Sequence, residues 1–99
     1  MERSKTASYL GFARRCGKLT LGVGGVGTLK RGVFLLVADS SVAKNSKKEI
    51  EKLQKKFACP LLYTEHLGEM VGKEICMLAA VRDEGLANAI VKEHSDERT

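Results

Sequence analysis

Apolar residues recur at helical spacing from the start of the chain. Ala7, Leu10, Ala13 and Cys16 share one side of the segment from Ser4 to Cys16, opposite Arg14 and Arg15. This predicts an amphipathic first helix, with Gly17 suited to the left-handed residue that ends it. Lys18-Leu19-Thr20-Leu21 alternates polar and apolar, as a half-buried strand does, and Gly22 stops it. Val23, Val26 and Leu29 then line one face of a short helix, although Gly24, Gly25 and Gly27 each weaken it by about 1 kcal/mol relative to alanine. From Val33 to Ala38 the chain is continuously apolar and partly β-branched, the pattern of a central strand buried on both faces.

The second half repeats the alternation of strand and helix. Asp39-Ser40-Ser41 carries turn chemistry, and Ser46 with Glu49 fits a capping box opening a helix whose core face is Ile50, Leu53 and Phe57. Its other face bears Lys47, Lys48, Lys52, Lys55 and Lys56. Pro60 cannot continue the helix, Leu61 to Tyr63 reads as a short strand, and Thr64 is placed to cap a helix that turns Leu67, Met70 and Val71 inward and stops at Gly72. Ile75 to Val81 is a further apolar strand, and Asp83 caps a last helix burying Leu86, Ala87, Ile90 and Val91. Strands alternating with helices imply a four-stranded, mainly parallel sheet covered on both faces.

Composition narrows the class. The 99 residues make one domain, 1–99, with ordinary apolar and charged content and a short charged tail from about residue 95. No run is long and apolar enough to span a bilayer, and Met1 to Lys5 leads into no signal-peptide core, so a cytoplasmic protein without a membrane partner is expected. Cys16, Cys59 and Cys76 are odd in number and widely spaced, which predicts buried thiols in a reducing compartment. With His66 and His94 far from any cysteine, neither a metal site, a cofactor nor a catalytic constellation is recognisable, and the protein is not expected to be an enzyme. The net charge of +5 is unevenly distributed: residues 1–48 hold ten lysines and arginines against Glu2 and Asp39, and residues 49–99 hold seven against ten acids. Clustered positive charge is the footprint of a protein that meets phosphate backbones.

Candidate chemistry falls on two segments. Gly22-Val23-Gly24-Gly25-Val26-Gly27 satisfies the dinucleotide pattern G-x-G-x-x-G, with Asp39 at the end of the next strand where a ribose ligand belongs. Against this stand a short preceding strand, a short helix and a chain too small for the full two-halved nucleotide fold. The same glycines also form a backbone docking surface, where phosphates or base edges approach free amides with Lys18, Lys30 and Arg31 adding charge. The turn Gly72-Lys73-Glu74-Ile75 offers one cation and one apolar residue, a combination that holds a phosphate and covers an unstacked base.

In order along the chain, Gly17-Lys18-Leu19, Gly22, the basic segment before Gly32, Ala38-Asp39, Asn45-Ser46-Lys47-Lys48, Leu67-Gly68, Gly72-Lys73 and Cys76 to Val81 resemble the L-seven-Ae family of ribosomal proteins, most closely its small bacterial YlxQ-like branch. The resemblance spans roughly residues 5–92. It implies a three-layer α-β-α sandwich with a mixed four-stranded sheet, replacing the mainly parallel one. It also implies that a free monomer binds structured, kink-turn-like RNA in ribosomal or other ribonucleoprotein particles of translation. Carried over, the RNA-binding segments are Gly22 to Thr28, Asp39 to Asn45 and Gly72 to Cys76, with Gly22, Val23, Gly24, Gly25, Thr28, Ser41, Asn45, Lys73, Glu74 and Ile75 as the contacting residues beside Lys18, Lys30 and Arg31. Where kink-turn binders carry Gly-x-Asn-Glu and a lysine three residues on, this chain has Gly24, Gly25 and Thr28. The alternative to RNA binding is therefore a protein-interaction module of the same fold.

Overall fold

A computed structural model describes residues 5–98. Its elements are α1 (Lys5–Arg15), β1 (Leu19–Leu21), α2 (Val23–Gly27), β2 (Leu35–Asp39), α3 (Lys44–Phe57), β3 (Leu61–Thr64), α4 (Leu67–Val71), β4 (Leu78–Val81) and α5 (Glu84–Arg98). The four strands form one sheet in the order β1-β4-β2-β3. β2 and β3 run parallel, whereas β4 is antiparallel to both β1 and β2. The sheet is thus mixed, as the family resemblance implies and as simple strand and helix alternation does not. The physical reason is that the last strand inserts between the first two in the opposite direction, a placement local periodicity cannot encode.

Side-chain alternation along the central strands builds two cores. Leu35, Val37, Ala79 and Val81 face α1, α4 and α5, where they meet Leu10, Leu67, Val71, Ala87 and Ile90. Leu36, Ala38, Leu78 and Ala80 face α2 and α3, meeting Val26 and Ile50. The central strands are therefore buried on both sides, which is why their sequence is apolar throughout.

Several helix ends behave as their residues dictate. Gly17 and Gly72 adopt the left-handed conformation that closes α1 and α4. Asp83 caps α5, its Oδ2 accepting the Leu86 N–H at 2.9 Å. α5 then continues to Arg98, so residues 95–98, read from sequence as a charged tail, extend the helix. The Ser4 end of the first predicted helix lies outside the described residues.

Other boundaries differ from the sequence reading. The capping box of Ser46 and Glu49 does not form: α3 starts at Lys44 after an extended Ala43, with no side-chain cap. The Asp39 turn directs the chain into the helix early, with Val42 N–H donating to Asp39 O at 3.2 Å and Lys47 N–H to Ala43 O at 2.8 Å. Thr64 does not cap α4 because it pairs with Asp39 in the ladder, and His66, left-handed at φ 57°, precedes the helix instead. The strand expected from Ile75 begins only at Leu78, because residues 73–76 pack on the α4 backbone at Gly68. Cys59 and Cys76 are buried, but Cys16 is exposed at the end of α1, where the chain turns away from the core.

Candidate nucleic-acid interface

The registers bring four connections to one end of the sheet. Leu21 pairs with Ala79, Ala38 with Leu78 and Asp39 with Thr64. The carboxyl ends of β1, β2 and β3 therefore lie beside the amino end of β4. Backbone hydrogen bonds extend this row: Gly22 N–H to Leu78 O at 2.8 Å, Asp39 N–H to Met77 O at 2.9 Å and Ser40 N–H to Thr64 O at 2.9 Å.

Gly22 turns the chain from β1 into α2 at φ 88° and ψ 146°, a conformation essentially reserved for glycine. Val26, fully buried, anchors α2 against the sheet, and Val23 is half-buried in the same core. Gly24 and Gly25 face outward. A Cβ at Gly24 would meet nothing within 4 Å, and one at Gly25 would make an ordinary contact with Thr20 Cγ2 at 3.5 Å. The outer face of α2 is consequently bare backbone. Thr28 is directed elsewhere, its Oγ1 donating to Gly25 O at 2.7 Å and closing the helix.

The turn after β2 is held by Asp39. Asp39 is 6% exposed, and its Oδ2 accepts the Ser41 N–H at 3.0 Å together with the Ser41 hydroxyl. Oδ1 accepts the Leu67 N–H at 2.9 Å, so Asp39 supplies the cap that α4 lacks locally. Burial acts to raise its pKa, but the hydrogen bonds from Ser41 and Leu67 and the nearby His66 outweigh it and hold the carboxyl below its ordinary value. The Ser41 hydroxyl is engaged here and with Met77 Sδ. Lys44 and Asn45 are exposed at the start of α3, followed by exposed Lys47 and Lys48, with the Lys47 ammonium 5.3 Å from the Tyr63 ring centroid.

Gly68 positions the third loop. A Cβ there would lie 2.7 Å from Lys73 O and 3.2 Å from Glu74 O, so the loop packs directly on the α4 backbone, with Lys73 N–H donating to Gly68 O at 2.8 Å. Sequence reading noticed the Leu67-Gly68 landmark without assigning this role to it. Cys76 is buried beneath the loop and burial raises its thiol pKa, whereas Ile75 is 73% exposed. Between this loop, the Asp39 turn and the start of α4 lies an open cleft of about 530 Å³ lined by Ser41, Glu65, His66, Glu69, Glu74, Ile75 and Met77 among others. Its acidic rim joins Glu65 and Glu69 to Glu74, and of the three the sequence reading named Glu74 alone, because carboxylates scattered over ten residues carry no motif.

Of the predicted contact residues, Gly22, Val23, Gly24, Gly25, Ser41, Asn45, Lys73, Glu74 and Ile75 belong to these connections. Lys18, Lys30 and Arg31 do not join them: Lys18 precedes β1, with its O accepting the Arg82 N–H at 2.8 Å, and Lys30 and Arg31 lie on the approach to β2. They occupy the opposite end of the sheet. The dinucleotide reading fails on topology, because β4 separates β1 from β2 and both Asp39 oxygens are occupied.

No protein-family model and no curated protein matches the sequence. Solved structures do match. A protein of unknown function from Bacillus halodurans superposes with a TM-score of 0.80 at 23% identity, covering 94% of this chain and 99% of its own. The Giardia lamblia 15.5kD RNA binding protein superposes with a TM-score of 0.64 at 9% identity, covering 97% of this chain and 90% of that one. The likeness is one of fold. This α-β-α arrangement is thus shared with a protein that binds RNA. Among the described residues no helix is long and apolar enough to cross a membrane.

Proposed function

We propose that this protein binds folded RNA through the loop end of its sheet, as a ribosome-associated member of the L-seven-Ae family in its YlxQ-like branch. In this reading it is a cytoplasmic binding protein of translation, not an enzyme. It is monomeric when free and joins ribosomal or other ribonucleoprotein assemblies by recognising kink-turn-like elements.

The observation that carries the reading is the meeting of three connections at one sheet end: the glycine-rich start of α2, the Asp39 turn into α3, and the loop from Lys73 to Met77. Each supplies a different contact. Bare backbone at Gly24 and Gly25 lets base edges or sugar approach closely. Exposed Lys44, Lys47 and Lys48 attract phosphates, and exposed Ile75 covers an unstacked base. Glu65, Glu69 and Glu74 repel phosphate, so the strand path follows α3 and leaves the cleft to base amino groups.

With Gly24, Gly25 and Thr28 in place of the side chains that read sheared G·A pairs, discrimination is weak. The test is the ratio of dissociation constants for a kink-turn RNA and an unkinked duplex at one salt concentration. The parent should prefer the kink-turn by less than about tenfold, and Gly24→Asn with Gly25→Glu should raise that preference about tenfold or more, the equivalent of one recovered contact of roughly 1.4 kcal/mol. A hundredfold preference in the parent would contradict this account of the departure. Absence of binding to either RNA at low salt would overturn RNA binding and leave the protein-interaction module.

A further inference from the structure

The end of the sheet opposite the loops gathers cations from separate parts of the chain. Lys18 and Arg82 are neighbours across β1 and β4, and Phe34 N–H donates to Val81 O at 2.9 Å on the other side of β4. With adjacent strands about 4.8 Å apart, the backbones of Lys18 and Phe34 stand roughly 10 Å apart along this end. Lys30 and Arg31 join from the connection between α2 and β2. That connection is tied to the last turn of α3, where Lys56 Nζ donates to Leu29 O at 2.6 Å and Lys55 is exposed. Lys18, Lys30 and Arg31 are exposed, and Arg82, half-buried, is fixed in direction by an Nη2 hydrogen bond to Gly17 O at 2.5 Å. The acids that follow Arg82 are Asp83 and Glu84, and Asp83 is turned to the start of α5 by its bond to Leu86.

Phe34, at this same end of the sheet, has 39% of its surface exposed, although it belongs to a run that reads as wholly buried. A sheet end that carries both an exposed flat ring and several cations suits a polymer that alternates phosphates with flat bases. An acidic peptide would match the charge but offer the ring no base face to stack on. A duplex conceals its base faces, so the ring favours an unpaired strand. We infer that this end of the sheet is a second nucleic-acid surface, which takes a single-stranded RNA segment with its phosphates on Lys18, Lys30, Arg31 and Arg82 and one base stacked on Phe34. It lies a strand's length from the loop end, about 17 Å for the five residues of β2. One molecule therefore holds a folded RNA at one end and a flexible strand at the other. The surface stands whether or not the loop end binds RNA.

Fluorescence anisotropy of a labelled short oligouridine on the full chain tests it. The triple variant Lys18→Gln, Lys30→Gln, Arg31→Gln should bind at least tenfold more weakly at low salt, and the slope of log affinity on log salt should fall by about 2. Phe34→Ala should weaken binding roughly fivefold or more, and Phe34→Tyr should restore it. Protein saturated with a kink-turn RNA should still bind oligouridine. Displacement of oligouridine by the kink-turn RNA, or a loss caused by Lys73→Gln and Ile75→Ala rather than by the triple variant, would overturn the inference. So would polyglutamate competing as effectively as oligouridine with no dependence on Phe34, which would assign the surface to an acidic protein. Oligouridine binding that persists when kink-turn RNA fails to bind supports this surface and overturns only the function proposed for the loop end.

Discussion

Asp39 sits in surroundings that favour a neutral carboxyl, yet its oxygens receive two backbone N–H groups and a hydroxyl that hold it charged. Asp39→Ala strands the Leu67 and Ser41 donors and should cost about 2–3 kcal/mol, read as a lower urea midpoint. Because the folded-state pKa is depressed, the Asp39 contribution is complete above about pH 4, the ordinary unfolded carboxyl value, and is lost as pH falls through the folded value. The stability gap between the parent and Asp39→Asn should therefore narrow on acidification below that point. Sequence alone reads Asp39 as turn chemistry or a ribose ligand, since its partner Leu67 lies on a different element. The glycines make the same point. Gly22→Ala should destabilise by about 1–3 kcal/mol because of its positive φ, whereas Gly24→Ala, in open space, should be neutral or stabilising by up to about 1 kcal/mol in thermal melts. Identical residues two positions apart differ only in backbone conformation.

Elements whose apolar spacing is long and regular are legible directly: α1, α3 and α5 fall close to where periodicity puts them, and their faces bury Leu10, Ile50 and Ile90 as expected. Short elements take their limits from neighbours. α4 is five residues long, is capped by Asp39 from another strand, and carries the loop that reaches Ile75. Hydrophobicity continues through Ile75, Cys76 and Met77, so no local signal separates this loop from β4. The separation is made by contact between the backbones at Gly68 and Lys73. Gly68→Ala should push that loop outward, destabilising the protein by about 1–3 kcal/mol. RNA affinity at the loop end should fall with it, and a variant that melts lower yet binds normally would show that loop position does not matter to recognition.

For the whole molecule, the uneven charge of the two sequence halves becomes a different partition in space. Lysines 44, 47 and 48 border the loop end, while Lys18, Lys30 and Arg31 stand at the other. Neutralising the three α3 lysines to glutamine should weaken folded-RNA binding at low salt and reduce the salt slope by about 2 to 3. An unchanged slope would place the phosphates elsewhere. Composition and periodicity by themselves determined the α/β class, the position of its long helices, the buried central strands and an excess of positive charge, because each depends on residues close together in the chain or on simple sums. The family resemblance added the mixed sheet. Only the tertiary structure decided that β4 lies between β1 and β2, that Asp39 caps α4, and that the basic residues divide between two ends. Those outcomes depend on which distant segments pack together, and contacts across the sheet leave no period in the sequence.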